Sequence, residues 1–211
     1  MVKLVIFDLD GTLLNTLDDI SISVNYALNK NNLNTVTKDE IKYMIGNGVD
    51  LLIKRAIKDN LEKFNDVKCD YLKYYHENCE VNTRPYDGII EELIKLKKDH
   101  IKIAVFSNKP DNDTNKMIAK YFPNTFDVVL GKKDCNRIKP YPDGVLEIKK
   151  KLDIQTNGIF IGDSDVDIET GKNAHMKTIG VLWGFRNEQY LKEADAIIAE
   201  PNELYKIIKE L

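Results

Sequence analysis

The chain has 211 residues, 43% hydrophobic and 31% charged, the proportions of a globular protein with a sizeable core. Its 31 basic and 34 acidic side chains leave a net charge of −3, so no basic field would draw it onto nucleic acid or anionic lipid. No run approaches the roughly 20 apolar residues needed to cross a bilayer, and the first residues run straight into Asp8 without the length or cleavage site of a signal peptide.

In chain order, Lys3–Phe7 opens with a continuous apolar run that reads as a buried strand. The stretch from about Leu17 to Val81 holds no such run. It shows helical stripes instead: Ile20, Val24, Ala27 and Leu28; then Val49, Leu52, Ile53, Ala56 and Ile57; then Leu72, Tyr75 and Cys79. Tyr71, Tyr74 and Tyr75 are expected to pack within this helical unit. A helix over Gly88–Lys98 follows, then strands at Ile101–Phe106 and Phe126–Leu130. A second helix, Pro142–Leu152, opens with the proline that a first turn tolerates. Strands at Gly158–Ile161, Lys177–Leu182 and Ala194–Ile198 complete the chain. Apolar runs without alternation suit strands covered on both faces. The predicted fold is therefore α/β, a doubly wound parallel sheet with a Rossmann-like core and a small all-helical cap domain inserted after the first strand. The expected division is 1–15 and 83–211 for the core and 16–82 for the cap.

The polar residues gather where the strands end. Asp8-Leu9-Asp10-Gly11-Thr12 follows the first strand, Ser107-Asn108-Lys109 follows the second, and Gly162-Asp163-Ser164-Asp165-Val166-Asp167 follows the fourth. In a parallel sheet these ends share one edge, the edge at which open α/β folds bind ligands. Carboxylates crowded there repel unless a cation sits among them, and a hard divalent ion with oxygen ligands, most simply Mg²⁺, answers that need. Lys139 brings a positive charge to the same edge. Asp8 and Asp10, two residues apart, start on one side of the strand, so one carboxylate can attack while the other moves protons. Histidines 76, 100 and 175 are scattered, and Cys69, Cys79 and Cys135 lack zinc-site spacing and read as reduced thiols. The expectation is a cytoplasmic protein with carboxylate-driven chemistry.

Asp8-Leu9-Asp10-Gly11-Thr12-Leu13, Ser107-Asn108-Lys109, Lys139-Pro140 and Gly162-Asp163-Ser164-Asp165-Val166-Asp167 together resemble the four motifs of the haloacid dehalogenase-like hydrolases of the helical-cap type. The resemblance spans essentially the whole chain. Ile45-Gly46-Asn47-Gly48, Pro85-Tyr86-Asp87-Gly88, Ser107-Asn108-Lys109-Pro110 and Gly180-Val181-Leu182-Trp183-Gly184 look most like the phosphoglycolate phosphatase branch. The resemblance implies Asp8 as nucleophile and Mg²⁺ ligand. It implies Asp10 as general acid and then base, with its main-chain carbonyl on Mg²⁺. Ser107 and Asn108 would hold phosphate oxygens, and Lys139 would neutralise the nucleophile and the transferring phosphoryl group. Asp163 would complete the metal site, with Asp167 supporting it directly or from behind. Gly46, Asn47 and Gly48 are candidate substrate contacts in the cap. Asn15, where many relatives carry Asp, and Gly171, where Ala is commoner, depart from the pattern.

Each residue taken singly has an ordinary explanation: Asp-Gly turns, helix caps, acids at a helix start. Their convergence with Lys139 on one edge is what points to chemistry. The expected activity is Mg²⁺-dependent hydrolysis of a small phosphorylated metabolite, best 2-phosphoglycolate, through an aspartyl phosphate, by a monomer or homodimer without nucleic-acid or membrane partners. A sugar phosphomutase of the β-phosphoglucomutase type, or a phosphate-binding module without turnover, would be the alternatives. Trp183 is expected to pack rather than bind.

Overall fold

The computed structural model describes residues 2–133, 137–156 and 158–211; Met1 and Cys135 lie outside the described residues. The elements run β1 (Leu4–Phe7), β2 (Leu14–Asn15), α1 (Leu17–Lys30), α2 (Lys38–Met44), α3 (Val49–Ile57), α4 (Phe64–Asn78), β3 (Arg84–Pro85) and α5 (Ile89–Lys98). They continue with β4 (Lys102–Pro110), α6 (Asp111–Tyr121), β5 (Val128–Lys132), α7 (Asp143–Leu152), β6 (Ile159–Gly162), α8 (Asp165–Asn173), β7 (Lys177–Val181), β8 (Ala196–Ile198) and α9 (Leu204–Glu210). The six strands β5-β4-β1-β6-β7-β8 form one parallel sheet. Strand β1 lies at its middle, with Val5 facing Ile103 on one side and Ile159 on the other.

Alternation along the strands sorts side chains onto two faces, and both faces are dry. Val5, Phe7, Ile103, Val105, Ile159 and Ile161 share a core with Leu93 and Leu96 of α5, Met117 of α6 and Ile208 of α9. Leu4, Ile6, Ala104, Phe106 and Phe160 pack on the other face against Val145 and Ile148 of α7. This two-sided burial is why the strands read as unbroken apolar runs.

Strand β4 extends to Pro110, four residues past its last apolar residue, and pairs there with Lys132 of β5. Pattern reading stops at Ser107 because that residue is polar; in the structure the pairing shifts register between Phe106 and Pro110, so Ser107, Asn108 and Lys109 stand in an irregular stretch of the strand. Strands β5 and β8 each begin two residues later than expected.

Four helices, not three, form the cap inserted after β1. Ile20, Val24, Ala27 and Leu28 of α1 and Leu52, Ile53, Ala56 and Ile57 of α3 are buried as their spacing demands. The unanticipated α2 buries only Ile41, so it leaves no stripe to read. Its sequence mark is the reciprocal cap of Thr37 and Glu40. Tyr71 and Tyr75 are buried and stacked, whereas Tyr74 stacks on Tyr26 nearer the surface. The two chain crossings pair as β2 and β3. Asp19, buried in α1, ties the entry to the exit: its carboxylate accepts hydrogen bonds from the Asn82 and Thr83 main-chain N–H groups and from the Thr83 hydroxyl. Among the described residues no helix is long and apolar enough to cross a membrane.

Candidate active site

The strand order reverses around β1, and the ends of β1, β4 and β6 meet there. Gly11 turns the chain immediately after Asp10 at φ +85°, and a Cβ at that position would run into the Asp163 carboxylate. Only glycine allows the β1 loop to lie so close to the end of β6.

Lys139, in the loop before α7, is the electrostatic pivot. Its Nζ lies 2.7 Å from Asp8 Oδ1 and 2.6 Å from Asp167 Oδ1, with all three side chains almost sealed from solvent. Asp167 Oδ2 accepts from the Ser164 N–H and hydroxyl at 3.1 and 2.6 Å. Asp163 Oδ2 accepts from the Phe185 N–H at 2.6 Å. Asp8 and Asp167 thus share one ammonium, and Asp163 beside them has no cation of its own among the described residues. Burial pushes the Asp8 carboxyl up to about 7 despite Lys139, which pulls it down. Burial, with Asp167 and Asp8 nearby, pushes Asp163 well above the usual carboxylate range. Lys139 is held above its ordinary value: burial works against its charge, but Asp167 and Asp8 outweigh it.

This charge balance bears on a metal. One oxygen from each of Asp8, Asp163 and Asp167 falls within 4.8 Å of the others, all three buried. Carboxylates held this close, with more negative charge than Lys139 can offset, are a donor set for a hard divalent ion. Asp165, in the same loop, is exposed and stands apart from this group.

Asp10 is held from two sides. Its Oδ1 accepts from the Thr16 hydroxyl at 2.7 Å, at the entry to the cap, and lies 2.9 Å from Lys109 Nζ. Lys109 had no assigned role in the sequence reading. It is buried, its Nζ donates to the Tyr75 hydroxyl at 2.6 Å, and it lies over the Tyr75 ring. Burial works against its charge, but Asp10 keeps the ammonium above its ordinary value. The available signal was position: Lys109 stands two residues after Ser107 in the polar run that follows the apolar part of β4.

The Asn108 side chain is fully occupied. Nδ2 donates to the Gly46 and Lys139 carbonyls at 2.9 and 3.1 Å, and Oδ1 accepts from the Lys139 N–H at 2.8 Å. Asn108 therefore splices β4 to the Lys139 loop and to the cap. Ser107 is buried and lines the cavity.

The cavity lies between sheet edge and cap. Asp8, Asp10, Ser107, Asn108 and Lys109 form its floor; Ile20, Ile45, Val49 and Leu52, with Tyr71 and Tyr75, form its cap wall. Gly46 and Gly48 also line it, whereas Asn47 is half-buried and does not. Gly48 precedes α3 at φ +82° beside the Asn108 carbonyl, a conformation L side chains rarely adopt. Arg186, in the loop after β7, reaches across to the cap and donates to the carbonyls of Lys42, Tyr43 and Ile45 at the end of α2. Trp183 braces the site from outside, its Nε1 donating to the Thr12 carbonyl at 3.0 Å.

Comparison with known proteins identifies the family. The family model described as haloacid dehalogenase-like hydrolase matches residues 5–181. A phosphoglycolate phosphatase from Aquifex aeolicus is 33% identical over 98% of this chain and 96% of its own length. An N-acetylmuramic acid 6-phosphate phosphatase from Pseudomonas aeruginosa is 29% identical over 98% of this chain and 94% of its own. The crystal structure of a predicted phosphoglycolate phosphatase from Haemophilus somnus superposes with a TM-score of 0.89 at 30% identity, covering 98% of this chain and 97% of that one. A match along nearly the whole length, on a sheet whose switch point carries two aspartates, a lysine and a carboxylate cluster, leaves one conclusion: the chain belongs to the haloacid dehalogenase-like hydrolase family, among its phosphatases.

Proposed function

We propose that the chain is a Mg²⁺-dependent phosphatase of small phosphorylated metabolites, with 2-phosphoglycolate its best substrate, working through an aspartyl phosphate. In this reading residues 16–82 act as the cap over a core of 1–15 and 83–211. The observation that carries it is the pairing of Asp8, at the cavity floor on Lys139, with Asp10 two residues on and separately held by Thr16 and Lys109.

The chemistry follows from those positions. An Asp8 carboxylate oxygen attacks phosphorus, and the P–O bond to the leaving alcohol breaks. Asp10 gives its proton to the departing oxygen, then takes one from the water that attacks the phosphoryl group and returns Asp8 as a carboxylate. Lys139 offsets negative charge on Asp8 before attack and on the phosphoryl oxygens as it proceeds. The Ser107 hydroxyl and the Asn108 main-chain N–H hold those oxygens. Asp8, Asp163 and the Asp10 main-chain carbonyl would hold Mg²⁺, with Asp167 at their side holding Lys139 and the Ser164 turn. The ion would draw charge from the phosphoryl group and relieve the repulsion among the carboxylates. The cap wall is largely aliphatic and offers little to sugar hydroxyls, which favours hydrolysis of a small ester over a sugar phosphomutase.

The test is phosphate release from a panel of phosphate monoesters, with Mg²⁺ and with EDTA. Turnover of 2-phosphoglycolate that EDTA abolishes is expected. Activity untouched by EDTA overturns the metal assignment, and a sugar phosphate isomerised without net phosphate release overturns hydrolysis.

A further inference from the structure

The mechanism above uses Lys109 only as a neighbour of Asp10, yet among the described residues it is the one cation that lines the cavity. We propose that Lys109 Nζ receives a carboxylate of the substrate, and that its seat beside Asp10 selects esters in which that carboxylate sits on the carbon bearing the phosphate. This rests on the phosphatase reading and names the residue that would select the substrate within it.

The first support is donor count. A lysine ammonium has three N–H donors. Asp10 Oδ1, at 2.9 Å, and the Tyr75 hydroxyl, at 2.6 Å, take two of them. The third is available to a ligand. The second is spacing. The leaving ester oxygen must come within hydrogen-bond reach of the Asp10 carboxyl, and Lys109 is hydrogen-bonded to that same carboxyl. A substrate that meets Asp10 with its ester oxygen and Lys109 with an anion must therefore carry that anion only a bond or two from the ester oxygen. A carboxylate attached to the phosphate-bearing carbon meets that demand, and one carried on a longer arm overshoots. The third is the remaining wall. Ile20, Ile45, Val49 and Leu52 offer no polar partner, so a second anion has no other cationic seat among the cavity residues. Tyr75 fixes the ammonium from the cap side by hydroxyl and by ring face, so the seat is complete only while the cap lies over the core.

The experiment compares kcat/KM, with Mg²⁺ present, for three esters: 2-phosphoglycolate; ethyl phosphate, which lacks the carboxylate; and 3-phosphonooxypropionate, whose carboxylate is one methylene further away. The wild-type protein is expected to prefer 2-phosphoglycolate over both. In Lys109→Met its preference over ethyl phosphate should fall at least ~10-fold, the loss of one charge-assisted hydrogen bond; Lys109→Arg should retain part of it. The preference is a ratio, so a smaller folded fraction leaves it unmoved, and a weakened Asp10 slows loss of the more basic ethoxide most and would raise the preference rather than lower it. If Lys109→Met is inactive, the wild-type series decides alone: equal rates on 2-phosphoglycolate and ethyl phosphate overturn the assignment. An unchanged preference in Lys109→Met also overturns it and leaves Lys109 as a support for Asp10. A wild-type protein that hydrolyses none of the three, nor any other phosphate ester, overturns the phosphatase reading and this inference with it.

Discussion

Replacing Lys139 by methionine removes the ammonium while nearly preserving its volume, so the consequence is electrostatic. The lost contacts are those at 2.7 Å to Asp8 and 2.6 Å to Asp167, with Asp163 in the same cluster. Breaking a buried ion pair by removing one partner costs about 3–5 kcal/mol, because the other charge stays buried without compensation. In a chain of this length each kcal/mol lowers Tm by roughly 2–4 °C, so a fall of about 6–20 °C is expected at pH 8 in EDTA. The pH dependence carries the diagnosis. The folded-state value of Asp8 is already raised from 3.8 to about 7. Without Lys139 the folded protein would bind protons still more readily than the unfolded chain, so stability falls as pH rises through that window. The deficit of Lys139→Met should therefore be largest at pH 8 and shrink toward pH 5, where the carboxyls neutralise themselves. Mg²⁺ should restore part of it without restoring turnover. Melting curves at pH 5 and pH 8, each with EDTA and with Mg²⁺, make the measurement. A variant that melts within about 2 °C of the wild type at pH 8 in EDTA, or whose deficit ignores pH, refutes the assignment of Lys139 as the charge balance of this cluster.

Two further outcomes follow from the same geometry. Asp8→Asn should abolish turnover, since an amide cannot form the acyl phosphate; it should also flatten the wild-type loss of metal-free stability between pH 5 and pH 8, and a variant whose deficit grows with pH would contradict the raised Asp8 value. Arg186→Ala removes three hydrogen bonds from core to cap; about 2 kcal/mol, or roughly 4–8 °C, should be lost, with KM for a small ester raised more than kcat is lowered, and an unchanged KM would mean that Arg186 does not hold the cap over the substrate.

Much of this protein is legible without coordinates because its signals are local. The β1 and β6 runs are apolar on both faces, as a strand with helices on either side favours. The carboxylates of Asp8, Asp10 and Asp163 stand directly after those runs, so predicting the strands places them at one edge. The cap showed itself as the segment whose period is helical and which holds no strand. Helix α2 escaped because seven residues that bury one side chain leave no period, though Thr37 and Glu40 mark its start.

The tertiary structure decided which partner each polar group takes. Nothing local to Asn108 shows that its amide is spent on Gly46 and Lys139, residues far away in the chain. Lys109 reads as one more strand-end lysine until Tyr75, on a cap helix, and Asp10, at the end of another strand, close around it. Arg186 gains meaning only when the loop after β7 meets the end of α2. The amino-acid order determines where a strand must lie and which groups stand at its end, because burial and backbone pairing are short-ranged demands. Whether a buried lysine neutralises a nucleophile, steadies an acid or awaits a ligand depends on charges a few ångströms away in space, and only the folded chain brings those together.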